Sequence, residues 1–402
     1  MKVKGMEITK TQIGVLAIAW LAFLLSFVDR LSWPPVIPLA SKALGMSATQ
    51  AGSYMTAFYI GYVVTQLPGG LLTDRFGYRK VLLGSFAVMG IFTALMGTIT
   101  SYEQGFTYRI LAGIGSGAIF SACVRAIFDW FPGMGKGTAM GFFMTASSMG
   151  LSVVNLFVPV LAKEYGWQFS FIAAGFLPVA SLFLAWPLLK ENTPIANRAQ
   201  GQSAGQFWHD VLSLFKNKNL MLTGFAGFCA MWATWGTATW ANTYMAKNLN
   251  LSLIEAGAIM SFYGVAALFC KPVAGLLNDL LLGKRNLLLA VMLVGFSVML
   301  LWFGANISVQ MLYIIAPILG ITAFVYSPVM NTLIGDVVQL RLVGTATGLV
   351  NTIWQLGSLL SPLAVGAVID ATHNYFYAFA TLAIGPLFGA AIIMFIKETE
   401  IN

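Results

Sequence analysis

The sequence predicts an all-α integral membrane protein of about 12 transmembrane helices, arranged as two pseudo-symmetric six-helix halves. Three observations predict it. Of its 402 residues 58% are hydrophobic and only 9% charged, where soluble domains carry roughly 25% charged residues. Apolar runs of about 20 residues, each long enough to cross roughly 30 Å of hydrocarbon as a helix, recur along the whole chain. Finally, the chain repeats itself. Gly70-Leu71-Leu72-Thr73-Asp74 returns as Gly275-Leu276-Leu277-Asn278-Asp279, and Leu44 to Gly52 returns as Leu249 to Gly257 at the same shift in numbering. Gly137 to Gly141 returns as Gly344 to Gly348, with Asp129 and Asp336 ahead of them. A shift of 205 at the first two landmarks and 207 at the third is the mark of a duplication. The boundaries follow: residues 1–190 form the first bundle, 191–218 a cytoplasmic linker and 219–402 the second bundle.

The formal charge of +8 has a topological explanation. With a cytoplasmic N-terminus, Lys2, Lys4, Lys10, Arg75, Arg79, Lys80, Lys136, Lys190, Arg198, Lys216, Lys218, Lys284, Arg285, Arg341 and Lys397 face the cytoplasm, and only Lys42, Lys163 and Lys247 face out. That asymmetry places both termini inside a cell (inner) membrane and argues against a nucleic-acid partner. The odd set Cys123, Cys229 and Cys270 gives neither a disulfide framework nor metal-ligand spacing. The first apolar run is too long for a signal-peptide core, so no cleavage is expected.

Span 1, Ile13 to about Pro35, carries Asp29-Arg30 near its outer end, ahead of Pro34-Pro35, which bend or end it. The pair neutralises itself, or Arg30 snorkels outward, or the two form a substrate and proton site; adjacent helical residues point about 100° apart, which makes mutual pairing awkward and favours the last reading. Span 2, about Gln50 to Leu72, holds Tyr62 too far from either end to be an interfacial anchor, so its hydroxyl is expected to face a cavity. The charged turn Gly70 to Lys80 follows, with Asp74, Arg75, Gly77 and Arg79. Span 4, about Phe106 to Phe128, puts Arg109, Ala112, Gly113 and Ser116 on one stripe. Arg109 either ties helices together through backbone carbonyls or takes part in coupling. Arg125, near the cytoplasmic end, is expected to snorkel or cap.

Span 5 carries Thr145, Ser148, Ser152 and Asn155 at helical spacing, and its repeat partner, span 11, carries Thr347, Asn351, Gln355 and Ser358. Polar stripes recurring in both halves suit a shared water-filled path. In the linker, Gln206 to Phe215 has the spacing of a short interfacial helix anchored by Trp208. Span 7, about Asn219 to Tyr244, brings Trp232, Trp235 and Trp240, with Trp235 near its middle. Span 8 sets Ser261, Gly264, Ala267 and Lys271 on one face, ahead of Pro272 and the second copy of the charged motif with Asp279.

At membrane depth one acid, Asp29, thus stands against Arg30, Arg109 and Lys271. A cavity so lined is positive and favours an anion such as a carboxylate, phosphate or sulfonate. Asp29 is the one acid at that depth able to take up a proton. An enzyme finds little support: His209 and His373 fall in predicted loops, and no nucleophile motif, phosphate loop, metal or cofactor site is legible. A channel fits a twofold repeat less well than alternating access does.

The Gly70 to Lys80 turn, its weaker copy at Gly275 to Arg285, and Arg109 with Gly113 and Gly115 resemble the major facilitator superfamily across essentially the whole chain. The resemblance implies a gating role for Gly70, Asp74, Arg75, Gly77, Arg79, Arg109 and Asp279. Asp29-Arg30 with Pro38, Gly61-Tyr62, Leu67-Pro68-Gly69-Gly70 and Asp129-Trp130-Phe131-Pro132 look like the anion:cation symporter family. That likeness implies proton-coupled uptake of organic anions such as sugar acids, with Arg30, Tyr62 and Asn351 at the substrate and Asp29 in proton coupling. Ser116 stands where that family often has a glutamate, and Lys271-Pro272 resembles the Arg-Pro of monocarboxylate and oxalate:formate porters, where the cation binds carboxylate. The expected protein is therefore a monomeric secondary transporter of a small organic anion, using Arg30, Tyr62, Ser116, Lys271, Asn351 and Gln355, with anion exchange or drug-type efflux as alternatives.

Overall fold

The computed structural model describes residues 2–3, 6–7, 9–131, 135–192, 211–280, 285–338 and 342–396. The chain falls into two compact units. Unit 1 comprises Met1–Ser32 and Ala57–Gly201, and unit 2 comprises Trp33–Thr56 and Gln202–Asn402.

Helix α1 (Lys10–Leu31) starts at a reciprocal cap: the Thr9 hydroxyl accepts from the Gln12 backbone N–H, and the Gln12 side chain accepts from that of Thr9. It stops ahead of the proline pair, which forms a 3₁₀ turn (Pro34–Val36) leading into the short α2 (Ile37–Ala43). Asp29 and Arg30 therefore sit in the last turn of α1. Helix α3 (Ala48–Phe76) runs on through Pro68. Gly77 then turns the chain at φ 85, a left-handed conformation that glycine adopts without a Cβ penalty, and α4 (Tyr78–Leu95) begins.

The fourth predicted span is two helices, α5 (Tyr102–Gly117) and α6 (Ile119–Trp130), interrupted at Ala118. Gly113, Gly115 and Gly117 weaken the helix ahead of the break. Close backbone approach explains two glycines here. A Cβ on Gly113 would lie 2.1 Å from the Phe58 carbonyl oxygen, and one on Gly61 would lie 2.0 Å from that of Ile110. Helices α3 and α5 thus cross at backbone contact. Unit 1 is completed by α7 (Gly135–Tyr165) and α8 (Trp167–Leu188).

Unit 2 continues with α9 (Lys218–Asn248), α10 (Leu253–Leu280), α11 (Arg285–Ala305), α12 (Val309–Asp336), α13 (Val343–Thr372) and α14 (Tyr375–Ile393). Among the described residues the sole strand pairing is a two-residue ribbon, Lys2–Val3 against Met6–Glu7. Of the predicted linker helix, Trp208 and His209 lie outside the described residues.

Among the described residues, 10 helical stretches are long and apolar enough to cross a membrane. Helices α3, with 29 residues, and α9, with 31, also have the length. Helix α8 shows why these are lipid-facing helices. Phe176, Phe183 and Trp186 point outward, with Phe183 81% exposed, while Ser170, Gly175 and Ser181 are turned inward. Small and hydroxylated residues let helices approach closely in a solvent that is itself apolar.

Candidate functional site

In unit 1 the charges converge. Asp29, Arg30 and Arg109 are all fully buried, and among the described residues Asp29 is the one acid in that class. The Arg109 guanidinium donates to the backbone carbonyls of Asp29 at 3.1 Å and Arg30 at 2.9 Å. Its Nη1 also lies 3.8 Å from the Asp29 carboxylate. The carbonyl tie foreseen for Arg109 is therefore present, with an ion pair to Asp29 beside it. The Thr93 hydroxyl of α4 donates to Asp29 Oδ1. Carbonyl bonds at the end of α1 answer acceptors that a helix C-terminus leaves without an intrahelical partner, and the ion pair offsets the cost of burying both charges.

Arg30 points into a ring of aromatic faces. Its guanidinium carbon is 4.4 Å from the centroid of Tyr62, 4.7 Å from Phe27, 5.3 Å from Tyr59 and 5.6 Å from Phe58. The Phe58 ring also lies 4.7 Å from the Arg109 guanidinium carbon, so both arginines approach the same ring. Each such contact contributes about 0.5–2 kcal/mol. The close α3–α5 crossing at Gly61 and Gly113 puts Phe58 and Tyr62 there. One turn inward, the hydroxyls of Ser26 and Ser116 share a hydrogen bond at 2.6 Å. Helices α1 and α5 are thus joined by a charged rung and a neutral one.

In the polar stripe of α7, Thr145 accepts from the Trp20 indole N–H of α1 at 2.9 Å, while Ser152 donates to the Ser148 carbonyl and Asn155 to that of Leu151. At the charged turn, Asp74 and Arg125 lie 3.7 Å apart, and Arg125 also meets Asp129 at 3.1 Å. Arg125, near the end of α6, is thus the cation beside Asp74. Arg79 donates to the Trp186 carbonyl, its backbone N–H to Glu191, and Arg75 lies over the Phe76 ring. A Cβ at Gly70 would meet open space.

In unit 2, Lys271 is half-buried, with Nζ 5.2 Å from the Phe324 ring centroid. Phe324 is met edge-on by Trp235 and Tyr263, and the Tyr326 and Thr234 hydroxyls pair at 2.9 Å. Asn351 is half-buried on α13, and one turn on, Gln355 accepts from Ser358 at 3.0 Å. The side chain of Asp279 lies outside the described residues.

Sequence reasoning missed Thr93, Ser26, Phe27, Tyr59 and Phe324. Ser26 and Phe27 carried a signal, since each stands three residues before a charged residue of α1 and so shares its face. Thr93, the polar residue amid the apolar run Gly90 to Leu95, carried a weaker one. Tyr59 stands three residues before Tyr62 and so shares its face, whereas Phe324 carried no signal, because such rings are common in any span.

Against known proteins, the Major Facilitator Superfamily model matches residues 19–252 and 223–401. A protein of Cupriavidus necator named as a probable sulfoacetate transporter is 26% identical, covering 94% of this chain and 93% of the relative. A probable galactarate/D-glucarate transporter of Bacillus subtilis is 25% identical over 87% of this chain and 84% of its own. The hexuronate transporter of the same organism is 22% identical over 97% and 96%. Among solved structures, a bacterial homolog of the human lysosomal transporter Spinster superposes with a TM-score of 0.82 at 15% identity, covering 97% of each chain. With both repeats matched by the family model and the same fold in a solved transporter, the chain belongs to the Major Facilitator Superfamily.

Proposed function

We propose that this protein is a secondary active transporter that takes up a small organic anion, a carboxylate or sugar acid, together with protons by alternating access. The observation that carries this reading is the buried cluster of one acid and two arginines in unit 1. Three relatives named as transporters of sulfoacetate, galactarate/D-glucarate and hexuronate support the substrate class. Arg30 in unit 1 and Lys271 in unit 2 are each assigned to recognition of the anion. Arg30 offers a planar fork already stiffened by aromatic rings, and Lys271 a point charge on a flexible stem. Tyr62, Ser116, Asn351 and Gln355 line the polar contacts, and the protein works as a monomer in a cell (inner) membrane with both termini cytoplasmic.

Asp29 is the proton carrier. Its charge faces Arg109, and Arg109 holds the α1 carbonyls, so a proton on the carboxylate weakens the pairing that fixes the end of α1. The charged turn holding Gly70, Asp74, Arg75, Gly77 and Arg79 gates the cytoplasmic side, with Asp279 in the place of the second repeat that matches Asp74. Uptake of labelled anions into proteoliposomes tests this reading: accumulation driven by an inward proton gradient is expected, and accumulation unaffected by the gradient contradicts it.

One observation favours a second reading. Asp29 is held by Thr93 as well as Arg109, as a purely structural carboxylate would be. The protein is then an anion exchanger, and labelled anion moves only against preloaded anion.

A further inference from the structure

One face of α1 reads Trp20, Phe23, Phe27, Arg30, at intervals of three or four residues, so three rings stand in line with the guanidinium. Phe27, 4.7 Å from the guanidinium carbon, meets Phe23 edge-on at 5.1 Å between ring centroids. Phe23 stacks on Phe143 of α7 at 4.7 Å and lies 5.5 Å from Phe120 of α6. Trp20 stacks on Phe142 at 6.0 Å. Phe23, Phe27 and Phe143 are buried and Phe120 is half-buried, so the rings run without a break from Arg30 to a partly accessible edge.

The polar groups along these helices are engaged with one another or with backbone. Ser26 and Ser116 share their hydrogen bond, and the Thr145 hydroxyl accepts from Trp20 while donating to the Phe142 carbonyl at 2.6 Å. Ser152 and Asn155 donate to carbonyls of α7 itself. Unit 2 follows the same rule around Lys271. Beside the Phe324 ring, the Trp235 indole N–H donates to the sulfur of Met231 at 3.2 Å, a weak acceptor, and the Thr234 and Tyr326 hydroxyls pair with each other.

A sugar acid carries a hydroxyl on nearly every carbon, and each one taken out of water without a partner opposes binding. Rings offer dispersion contacts and an apolar face instead, which favour a substrate body of the same kind. We infer that the transported anion has an apolar body, an aryl or alkyl carboxylate or sulfonate, with its charged head at Arg30 and its carbon skeleton along the α1 rings. The inference rests on the transport reading above and chooses, within it, against the sugar acid.

The test titrates the purified full chain in detergent with phenylacetate, benzenesulfonate, D-glucuronate and D-glucarate, following the melting temperature, which a ligand of the folded state raises according to its Kd. The two aryl anions are expected to produce a given rise at a concentration at least about tenfold lower than either sugar acid, the discrimination that unpaired hydroxyls produce. Phe120→Ala is expected to weaken both aryl anions about threefold or more, and Phe120→Leu, which keeps the bulk without the ring, by less. Where no rise is seen, uptake of labelled benzenesulfonate and D-glucuronate into proteoliposomes decides by the same ratio. A sugar acid acting at the same or a lower concentration overturns the inference and leaves the transport reading standing, and aryl binding unchanged in both Phe120 variants overturns the placement along the rings. No rise and no uptake with any of these anions removes the transport reading as well.

Discussion

The two units hold their membrane-depth cations differently. In unit 1, Arg109 is fully buried and spends its hydrogen bonds on the carbonyls of Asp29 and Arg30, while Arg30 lies among four aromatic rings. In unit 2, Lys271 is half-buried on a flexible stem beside one ring, Phe324. The first arrangement ties charge to helix position, so a change of charge there is felt by the backbone. The second sets a charge on α10 over a ring of α12. The two differ in chemistry as well: one is an ion pair bonded to backbone carbonyls, the other an ammonium group over an aromatic face.

The comparison breaks most sharply at Arg109. Arg109→Met leaves the Asp29 carboxylate and two carbonyls buried without their partner, at a cost of about 3–5 kcal/mol. Transport is expected to vanish together with a clear fall in the melting temperature in detergent. A variant that melts like the wild type contradicts the tie between charge and backbone. Next in size is Lys271→Met. Anion uptake should fall at least ~10-fold, the effect of losing about 1.5 kcal/mol of charge-assisted binding, while melting barely moves. Uptake at the wild-type rate removes Lys271 from substrate recognition.

Two smaller effects sharpen the contrast. Tyr62→Ala takes one aromatic face from Arg30, worth about 0.5–2 kcal/mol. It should raise KM for the anion several-fold, whereas Tyr62→Phe keeps the face and separates the ring from its hydroxyl. Smallest is Ser116→Ala, which deletes the neutral rung to Ser26. A loss of about 1 kcal/mol in stability is expected, with proton coupling intact, because no proton carrier is touched. Loss of coupling in this variant would assign the Ser26–Ser116 pair to the proton path.

Much of this was legible in the sequence, for physical reasons that differ by element. Helix length and the two repeats are written in apolar run length and in glycine and charge spacing, and a lipid solvent leaves those patterns few alternatives. The charges at depth stood out because each is costly there: Asp29, Arg30, Arg109 and Lys271 needed no structure to be noticed. Their partners did. Thr93, Ser26 and Asp370 are ordinary residues until helix packing brings them against Asp29, Ser116 and the start of α3. The break at Ala118 was hidden because apolar periodicity continues across it. Arg125 was placed at the right end of its helix, yet its partner Asp74 comes from another helix, which no local pattern reports.

The most direct test of proton coupling through Asp29 is lumenal pH in proteoliposomes with a trapped pH-sensitive dye. Wild type and Asp29→Asn are each challenged with sugar acids, short carboxylates and sulfonates. Wild-type protein is expected to acidify the lumen as one substrate class enters, and Asp29→Asn to exchange the same labelled anion without a pH change. Acidification by Asp29→Asn equal to that of the wild type would contradict the assignment of the proton to this carboxylate.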